Sequence, residues 1–314
     1  MKNFAIIGVA GYVAERHVKA IKETNNNLVA CLDKFDSVGF LDSFFPETAF
    51  FTEFERFDRH IDRISNTDKK VDFVSICTPN YLHDAHIRFA LRNDADAICE
   101  KPIVLNPNNV DALVEFEQKK EKNIFTILQL RLHPEVIKLK QKIDLSPKKE
   151  KYNINLTYIT SRGSWYDYSW KGNPEKSGGI ATNIGIHFFD MLIWIFGDVI
   201  SSKLYISEKH TVAGFLELET ANVNWFLSID EKTLPKKIRE AGQRTYRSLT
   251  IENEEFNFSN GFTNLHTESY RQILNGNGFR IIEAKKAVAT TAEIRNLQIS
   301  NISKDFFVFL KTIE

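Results

Sequence analysis

Ala97-Ile98-Cys99-Glu100-Lys101-Pro102 is the stretch that decides the fold. An apolar run of strand length ends abruptly in Glu-Lys-Pro, and the proline both stops the strand and turns the chain away. A buried strand ending this way carries its lysine to the carboxyl edge of a sheet, where open α/β sheets bind their ligands. Alone, the tripeptide reads equally well as a strand end with a solvated lysine and a turn proline. The surrounding sequence tips that balance. Upstream, strands are expected at 4–7, 28–32, 50–51 and 71–77, with helices at 13–21, 54–64 and 82–91. The strand at 97–100 comes next, then a helix at 110–120 and a sixth strand at 124–128. Alternation with short connections predicts parallel strands joined by right-handed crossovers, a doubly wound α/β sheet.

After a helix at 134–143 the pattern changes. Residues 152–159 alternate at period two, and β-rich segments follow at 199–206, 211–219, 222–229 and 246–251, with a single apolar helix at 184–196 among them. Strands in succession predict a mostly antiparallel sheet in an α+β domain. Two helices, at 265–274 and 282–294, close the chain. The expected division is a dinucleotide-binding domain over 1–125 and a substrate-binding and oligomerisation domain over 126–314. Residues 144–151, rich in lysine, read as a solvated loop near the junction.

The 314 residues carry 41 basic and 41 acidic side chains and a formal net charge of +0, which gives no support to nucleic-acid binding. The first residues enter a strand directly, without the succession of a signal peptide. The longest apolar run, near 191–196, is too short for a bilayer, so a cytoplasmic protein without a membrane partner is expected. Cys31, Cys77 and Cys99 sit in apolar strands and read as buried, reduced thiols. No cysteine spacing suggests a metal site.

Gly8-Val9-Ala10-Gly11-Tyr12-Val13-Ala14 joins the first strand to the first helix. Its glycines permit a tight turn and close approach of a phosphate, and the helix N-terminus adds N–H donors and a positive dipole end. The spacing G-x-x-G-x-x-A departs from G-x-G-x-x-G. Asp33, ending the second strand, is placed to accept from both ribose hydroxyls and to repel a 2′-phosphate, which favours NAD over NADP. Thr78-Pro79-Asn80-Tyr81-Leu82-His83 reaches the same sheet edge after the fourth strand, so Thr78, Pro79, Asn80 and His83 join Glu100 and Lys101 as candidate cofactor contacts. His83 and His86 otherwise read as helix-start and surface histidines.

In the second domain, Ser177-Gly178-Gly179-Ile180-Ala181-Thr182-Asn183-Ile184-Gly185-Ile186-His187 leads into a helix with Asn183 and His187 four apart on one face. A polar pair on so apolar a helix is costly to bury without partners. The segment 161–172 is a loop crowded with aromatics and cations, in which Arg162, Trp165, Tyr166 and Lys171 are suited to an anionic ligand. Arg239 and Arg244 lie in a second basic cluster that reads equally as a solvated loop. Arg131 and His133 follow the sixth strand, where the domains are expected to meet.

Together these motifs resemble the glucose–fructose oxidoreductase, inositol dehydrogenase and rhizopine-catabolism (Gfo/Idh/MocA) family over essentially the whole chain. The resemblance implies a Rossmann domain followed by a mostly antiparallel sheet domain, often assembled through that sheet into homodimers or homotetramers. It maps the family lysine at nicotinamide and substrate to Lys101 and the family histidine to His187. Many members have Asp where this chain has Asn183. Gly11-Tyr12-Val13-Ala14-Glu15-Arg16-His17, Arg162-Gly163-Ser164-Trp165-Tyr166 and the Ser177 to Asp190 run are similar to the bacterial UDP-N-acetylglucosaminuronate 3-dehydrogenases of lipopolysaccharide O-antigen and related pathways. That similarity implies NAD-dependent oxidation of the 3-hydroxyl of a UDP-linked uronic acid. It also implies Lys101, His187 and Asn183 as catalytic residues, and Arg131, Arg162, Trp165, Tyr166, Lys171, Arg239 and Arg244 as substrate contacts. The rival expectations are a dehydrogenase of a free polyol or neutral sugar and a non-catalytic NAD-bound sensor.

Overall fold

The computed structural model describes residues 1–145, 150–258 and 264–313. Residues 146–149, the centre of the expected lysine-rich loop, lie outside them. The chain forms two compact units, Met1–Leu132 with Thr263–Lys285, and His133–Phe262 with Lys286–Glu314.

In the first unit β1 (Asn3–Ile7), α1 (Ala14–Glu23), β2 (Asn27–Leu32), β3 (Ala49–Phe51), α2 (Phe54–Ile64) and β4 (Phe73–Ile76) alternate as expected. They are followed by α3 (His83–Arg92), β5 (Asp96–Cys99), α4 (Pro107–Lys120) and β6 (Ile124–Thr126). The six strands are all parallel, in the order β3-β2-β1-β4-β5-β6. Chain direction across the sheet reverses between β1 and β4, so the turns that leave those strands flank a crevice at the carboxyl edge. Both faces are covered, which is why the strands read as unbroken apolar runs: Phe4, Ala5, Ile6, Val74, Ile76, Ile98 and Cys99 are fully buried. Cys31, Cys77 and Cys99 are buried free thiols whose pKa burial pushes upward.

The second unit contains α5 (Pro134–Leu145), β7 (Tyr152–Thr160), α6 (Trp165–Tyr168), α7 (Pro174–Ser177) and α8 (Ile186–Phe196). Then come β8 (Val199–Ser207), β9 (Thr211–Leu218), β10 (Ala221–Ser228), α9 (Lys236–Glu240), β11 (Thr245–Ile251) and β12 (Glu254–Glu255). The sheet order is β12-β11-β7-β10-β9-β8. It is mostly antiparallel, but the central β7 and β10 run parallel, with Ala221 opposite Tyr152. Period-two alternation tells which face a residue occupies and says nothing about strand direction, so this pairing was not readable from the sequence. One face packs on α8, where Phe189 meets Trp225 edge-on at 5.3 Å and Phe188 meets Tyr158 at 5.0 Å.

The other face is covered in part by α12 (Lys304–Lys311), an element not expected from the sequence. Its Phe306 and Phe309 pack with Ile159, Tyr205, Ala213 and Phe226. The remaining helices are α10 (Leu265–Leu274) and α11 (Lys285–Asn296).

Two departures concern the domain division. The break expected after residue 125 falls inside β6, which pairs with β5 through Ile98 and Phe125. The segment bearing α10, assigned in sequence to the second domain, folds into the first unit. There Tyr270 is fully buried, with its ring 5.6 Å from that of Phe4. An apolar helix face says that it packs on something, and sequence order suggested the wrong partner.

The run Pro174–Phe196, helical but for the left-handed turn at Gly178 and Gly179, is apolar enough in length and composition to cross a membrane. Between Ile180 and Ile193 every residue except Asn183 and His187 is buried within the unit, which makes this a core helix.

Candidate active site

At the carboxyl edge of the first sheet, Gly8 adopts φ +90°, a conformation L side chains rarely take. A Cβ there would stand 2.7 Å from the Cys77 carbonyl carbon and 2.8 Å from Thr78 N, so the turns after β1 and β4 touch backbone to backbone. Gly8 N–H donates to Leu32 O at 2.7 Å, and Gly11 N–H closes back on Gly8 O at 3.1 Å. No side chain caps α1, whose first turn follows Tyr12 and Val13; Tyr12 is 86% exposed. Asp33 leans over the turn, accepting from Ala10 N–H and Phe35 N–H, both at 3.0 Å. A carboxylate has about four lone-pair sites, so two remain for a ligand's hydroxyls. A tight glycine cradle, an uncapped helix start and an adjacent carboxylate fit a dinucleotide: backbone of 8–13 for the phosphates, Asp33 for the adenosine ribose.

Thr78 and Pro79 are half-buried and Asn80 is buried. Thr78 Oγ1 lies 3.0 Å from His86 Nδ1, and burial, reinforced by His83, lowers the His86 pKa to about 4. His83 is not a surface histidine: it is fully buried, with Nδ1 2.7 Å from Pro102 O and Nε2 2.8 Å from Thr78 O. It therefore ties the Thr-Pro-Asn turn to the Glu-Lys-Pro turn and shows no edge to a ligand. Burial pushes its pKa down while both carbonyls oppose that shift. Glu100 is also turned inward, at 7% exposure, and its carboxylate is occupied by His17 and His266. Lys101, half-buried, is the member of the tripeptide left at the edge.

Arg131 is only 7% exposed, with its guanidinium 3.0 Å from Glu283 Oε2 and 5.4 Å from the Phe279 ring. Its charge is met within the first unit. His133 is buried against Phe258 in the second.

In the second unit, Gly178 and Gly179 turn with φ +80° and +76° into a π-helical turn, Ala181–Gly185, that runs straight into α8. An even α-helix was expected here. The wider turn lets Gly185 press on β10, where a Cβ would come 2.6 Å from Leu227 Cδ1. Such π turns recur at functional sites, and here Asn183 and His187 are the half-exposed pair on an otherwise buried run. Asn183 Nδ2 donates to Tyr166 OH at 3.0 Å, and burial raises the Tyr166 pKa against that bond.

The segment read as a loop is folded into short helices. Tyr166 is buried at 4% while Trp165 is 50% exposed. Lys171 Nζ lies over the rings of Trp165 and Trp170 at 5.3 and 5.7 Å, and its pKa is lowered by burial and by Arg162. The second unit thus gathers Arg162, Trp165, Tyr166, Lys171 and Asn183 around one short stretch. Arg244 is exposed, and its carbonyl accepts from Ser161 N–H at 2.8 Å, beside Arg162. Arg239 is exposed on α9, the helical part of what was read as a solvated loop.

His17 entered the sequence reading only as the end of the Gly11 to His17 motif, without a role of its own, and His266 and Tyr270 did not enter it. The available signal was His17 itself, set among Ala14, Val18 and Ile21 on the buried face of α1, where an imidazole needs a partner.

Residues 2–127 match the model for the oxidoreductase family, NAD-binding Rossmann fold (GFO_IDH_MocA), and residues 150–233 match that for the family's C-terminal alpha/beta domain. The WlbA (WbpB) dehydrogenase of Thermus thermophilus, solved in complex with NAD and UDP-GlcNAcA, superposes with a TM-score of 0.93 and 46% identity, over 97% of this chain and 98% of that one. The same Thermus thermophilus enzyme in complex with NAD and alpha-ketoglutarate gives 0.93 and 47% over the same shares. Among curated proteins, YteT of Bacillus subtilis is 27% identical over 206 residues, 63% of this chain and 47% of its own length.

Proposed function

The chain belongs to the Gfo/Idh/MocA oxidoreductase family, and from that premise we propose that it oxidises the 3-hydroxyl of UDP-N-acetylglucosaminuronate to the 3-keto sugar with NAD. Full-length likeness to a dehydrogenase held with NAD and UDP-GlcNAcA is the observation that carries the reading. The pathway it would serve is O-antigen or related surface-polysaccharide synthesis, in the cytoplasm.

Bound NAD supplies the hydride acceptor at C4 of its nicotinamide. Oxidation removes a hydride from sugar C3 and a proton from the 3-hydroxyl, so the protein must take the proton and stabilise the alkoxide as it develops. His187 is the proposed base, because an imidazole titrates near working pH. Lys101 is the proposed alkoxide partner, and the two exchange roles if Lys101 is the one that loses its proton. Asn183 orients the ring or the imidazole without adding charge. Arg162, Trp165, Tyr166, Lys171 and Arg244, with Arg239 at greater remove, are the proposed contacts for diphosphate and uronate. Asp33 and residues 8–13, with Thr78, Pro79 and Asn80, hold NAD; Glu100 and His83 support these turns from within, while Arg131 is paired with Glu283.

Assembly into a homodimer or homotetramer through the C-terminal sheet belongs to the same proposal. On the face that α12 covers in part, Asn153 is exposed and Asn155, Asn222, Asn224 and Phe215 are half-buried, and Phe307 and Val308 on the outer side of α12 are 52% and 57% exposed.

The test is incubation of purified protein with UDP-N-acetylglucosaminuronate and NAD, with and without 2-oxoglutarate, following NADH and the keto sugar. Product only when 2-oxoglutarate is present would mean reoxidation in place. Lys101→Ala and His187→Ala are each expected to cut turnover about a hundredfold or more at unchanged NAD affinity. Oxidation of free inositol or glucose in place of the nucleotide sugar would favour the polyol reading and end this one.

A further inference from the structure

Beneath the Glu-Lys-Pro turn lies a polar cluster wholly inside the first unit. Glu100 Oε1 accepts from His17 Nε2 at 3.0 Å and from His266 Nε2 at 2.9 Å, and Oε2 accepts from Lys101 N–H at 3.2 Å. His17 Nδ1 is 2.8 Å from Tyr270 OH, which is 2.6 Å from Ser75 Oγ. One proton arrangement satisfies every bond: Ser75 donates to Tyr270, Tyr270 to His17 Nδ1, and both Nε2–H groups to the carboxylate. The cluster joins α1, β4, β5 and α10, and each of its five side chains is at most 7% exposed.

We propose that His17 and His266 are positioning residues for the reaction: by keeping Glu100 a carboxylate they fix the Glu100–Lys101 peptide, and with it the direction in which Lys101 is presented. This rests on the function proposed above. A buried carboxylate without donors would take up a proton rather than stay charged. Burial favours that here too, but the two imidazole hydrogen bonds outweigh it and hold Glu100 well below the ordinary carboxylate range. Burial also lowers the His17 pKa, leaving that ring neutral. A protonated Glu100 would be a donor itself and could no longer hold Lys101 N–H through the same oxygen if the proton sat there.

The other groups facing the cluster are Cys77 at the end of β4, Cys99 on β5, His83 on α3 and Arg16 on α1. Burial raises the pKa of both thiols and of the phenol, so these stay uncharged near neutrality. Glu100 is then the anion of the cluster.

Because its pKa is depressed, Glu100 is ionised throughout the neutral range and protonates only well into acid. Removing one donor moves that pKa up, so a variant should lose activity as pH falls across a range where the parent is flat. His266→Leu removes the donor, and His266→Gln restores an N–H near the Nε2 position. The expected result for His266→Leu is a kcat lower by about tenfold or more, with KM for the sugar within about twofold and an acid limb shifted to higher pH. His266→Gln should recover most of kcat and the original profile.

The Glu100 side-chain carboxyl resonance, in carbon-13-labelled protein and assigned with Glu100→Gln, should titrate in His266→Leu and stay flat from pH 5 to 9 in the parent, about the range left by so low a pKa. Unchanged kcat in His266→Leu, equal losses in both variants, or a titrating parent resonance would overturn the proposal. So would one equivalent of zinc in the parent, lost in His266→Leu, because the three ligating atoms lie within 4.8 Å of one another. Failure of the parent to oxidise any UDP-sugar acid would be the failure of the function reading, whereas the resonance reports on the cluster without substrate.

Discussion

Asn183 is the residue at which charge is the argument. Its Nδ2 donates to Tyr166 OH, so an aspartate of the same shape could accept from that hydroxyl and leave the fold undisturbed. What changes is the sign of the site. A uronic acid brings its own carboxylate, and two like charges a few ångströms apart in a partly desolvated pocket repel by about 1–4 kcal/mol. Asn183→Asp is therefore expected to lower kcat/KM for UDP-N-acetylglucosaminuronate more than for the same nucleotide sugar without the carboxylate. Measuring both substrates on both proteins decides it, and equal losses would reduce Asn183 to a hydrogen-bonding role. The neighbouring Lys171 follows the opposite logic. Held over two indole rings and half-desolvated beside Arg162, it is a cation waiting for a negative partner.

At the scale of the element, the π-helical turn Ala181–Gly185 determines where Asn183 and His187 emerge from a buried run. Gly185 has no room for a methyl group, since a Cβ would meet Leu227 at 2.6 Å and Phe189 at 2.9 Å. Gly185→Ala should cost about 1–3 kcal/mol of stability through overpacking, read by urea unfolding, and lower kcat more than it raises KM. A fully stable, fully active variant would mean that the turn is slack. How legible these elements were depended on what their residues encode. Apolar runs broken by glycine turns gave the order and type of the first sheet's elements, and Gly8, Asp33 and Lys101 stood where the turns required them. The π turn was invisible, because one extra residue per turn leaves an apolar run apolar. The parallel pairing of β7 and β10 was hidden because side-chain alternation is the same in either direction. The helix α12 was overlooked despite its cues, Ser303 as N-cap and Phe306, Phe309 and Ile313 on the buried side. His83 and Glu100 were read as ligand contacts because proximity in sequence to a sheet edge does not say which way a side chain turns.

For the whole molecule, the consequential feature is that the first unit is not contiguous: it closes only when the segment carrying α10 returns to it. Tyr270 fills space beside Phe4, and His266 completes the partners of Glu100. Translated into the order of synthesis, a ribosome has made all of the first sheet long before it makes this last piece. Domains usually fold as they emerge, N-terminal first, but here the nascent sheet must persist with an open seam while the long segment His133–Phe262 of the other unit is produced. Its exposed apolar groove and half-paired carboxylate would make it a natural client for chaperones during that interval. A polypeptide ending at Leu132 is accordingly expected to melt broadly and bind a hydrophobic dye, and to gain a cooperative transition when a peptide spanning 264–285 is supplied. A sharp melt of the short chain by itself would show that the seam closes without its late partner.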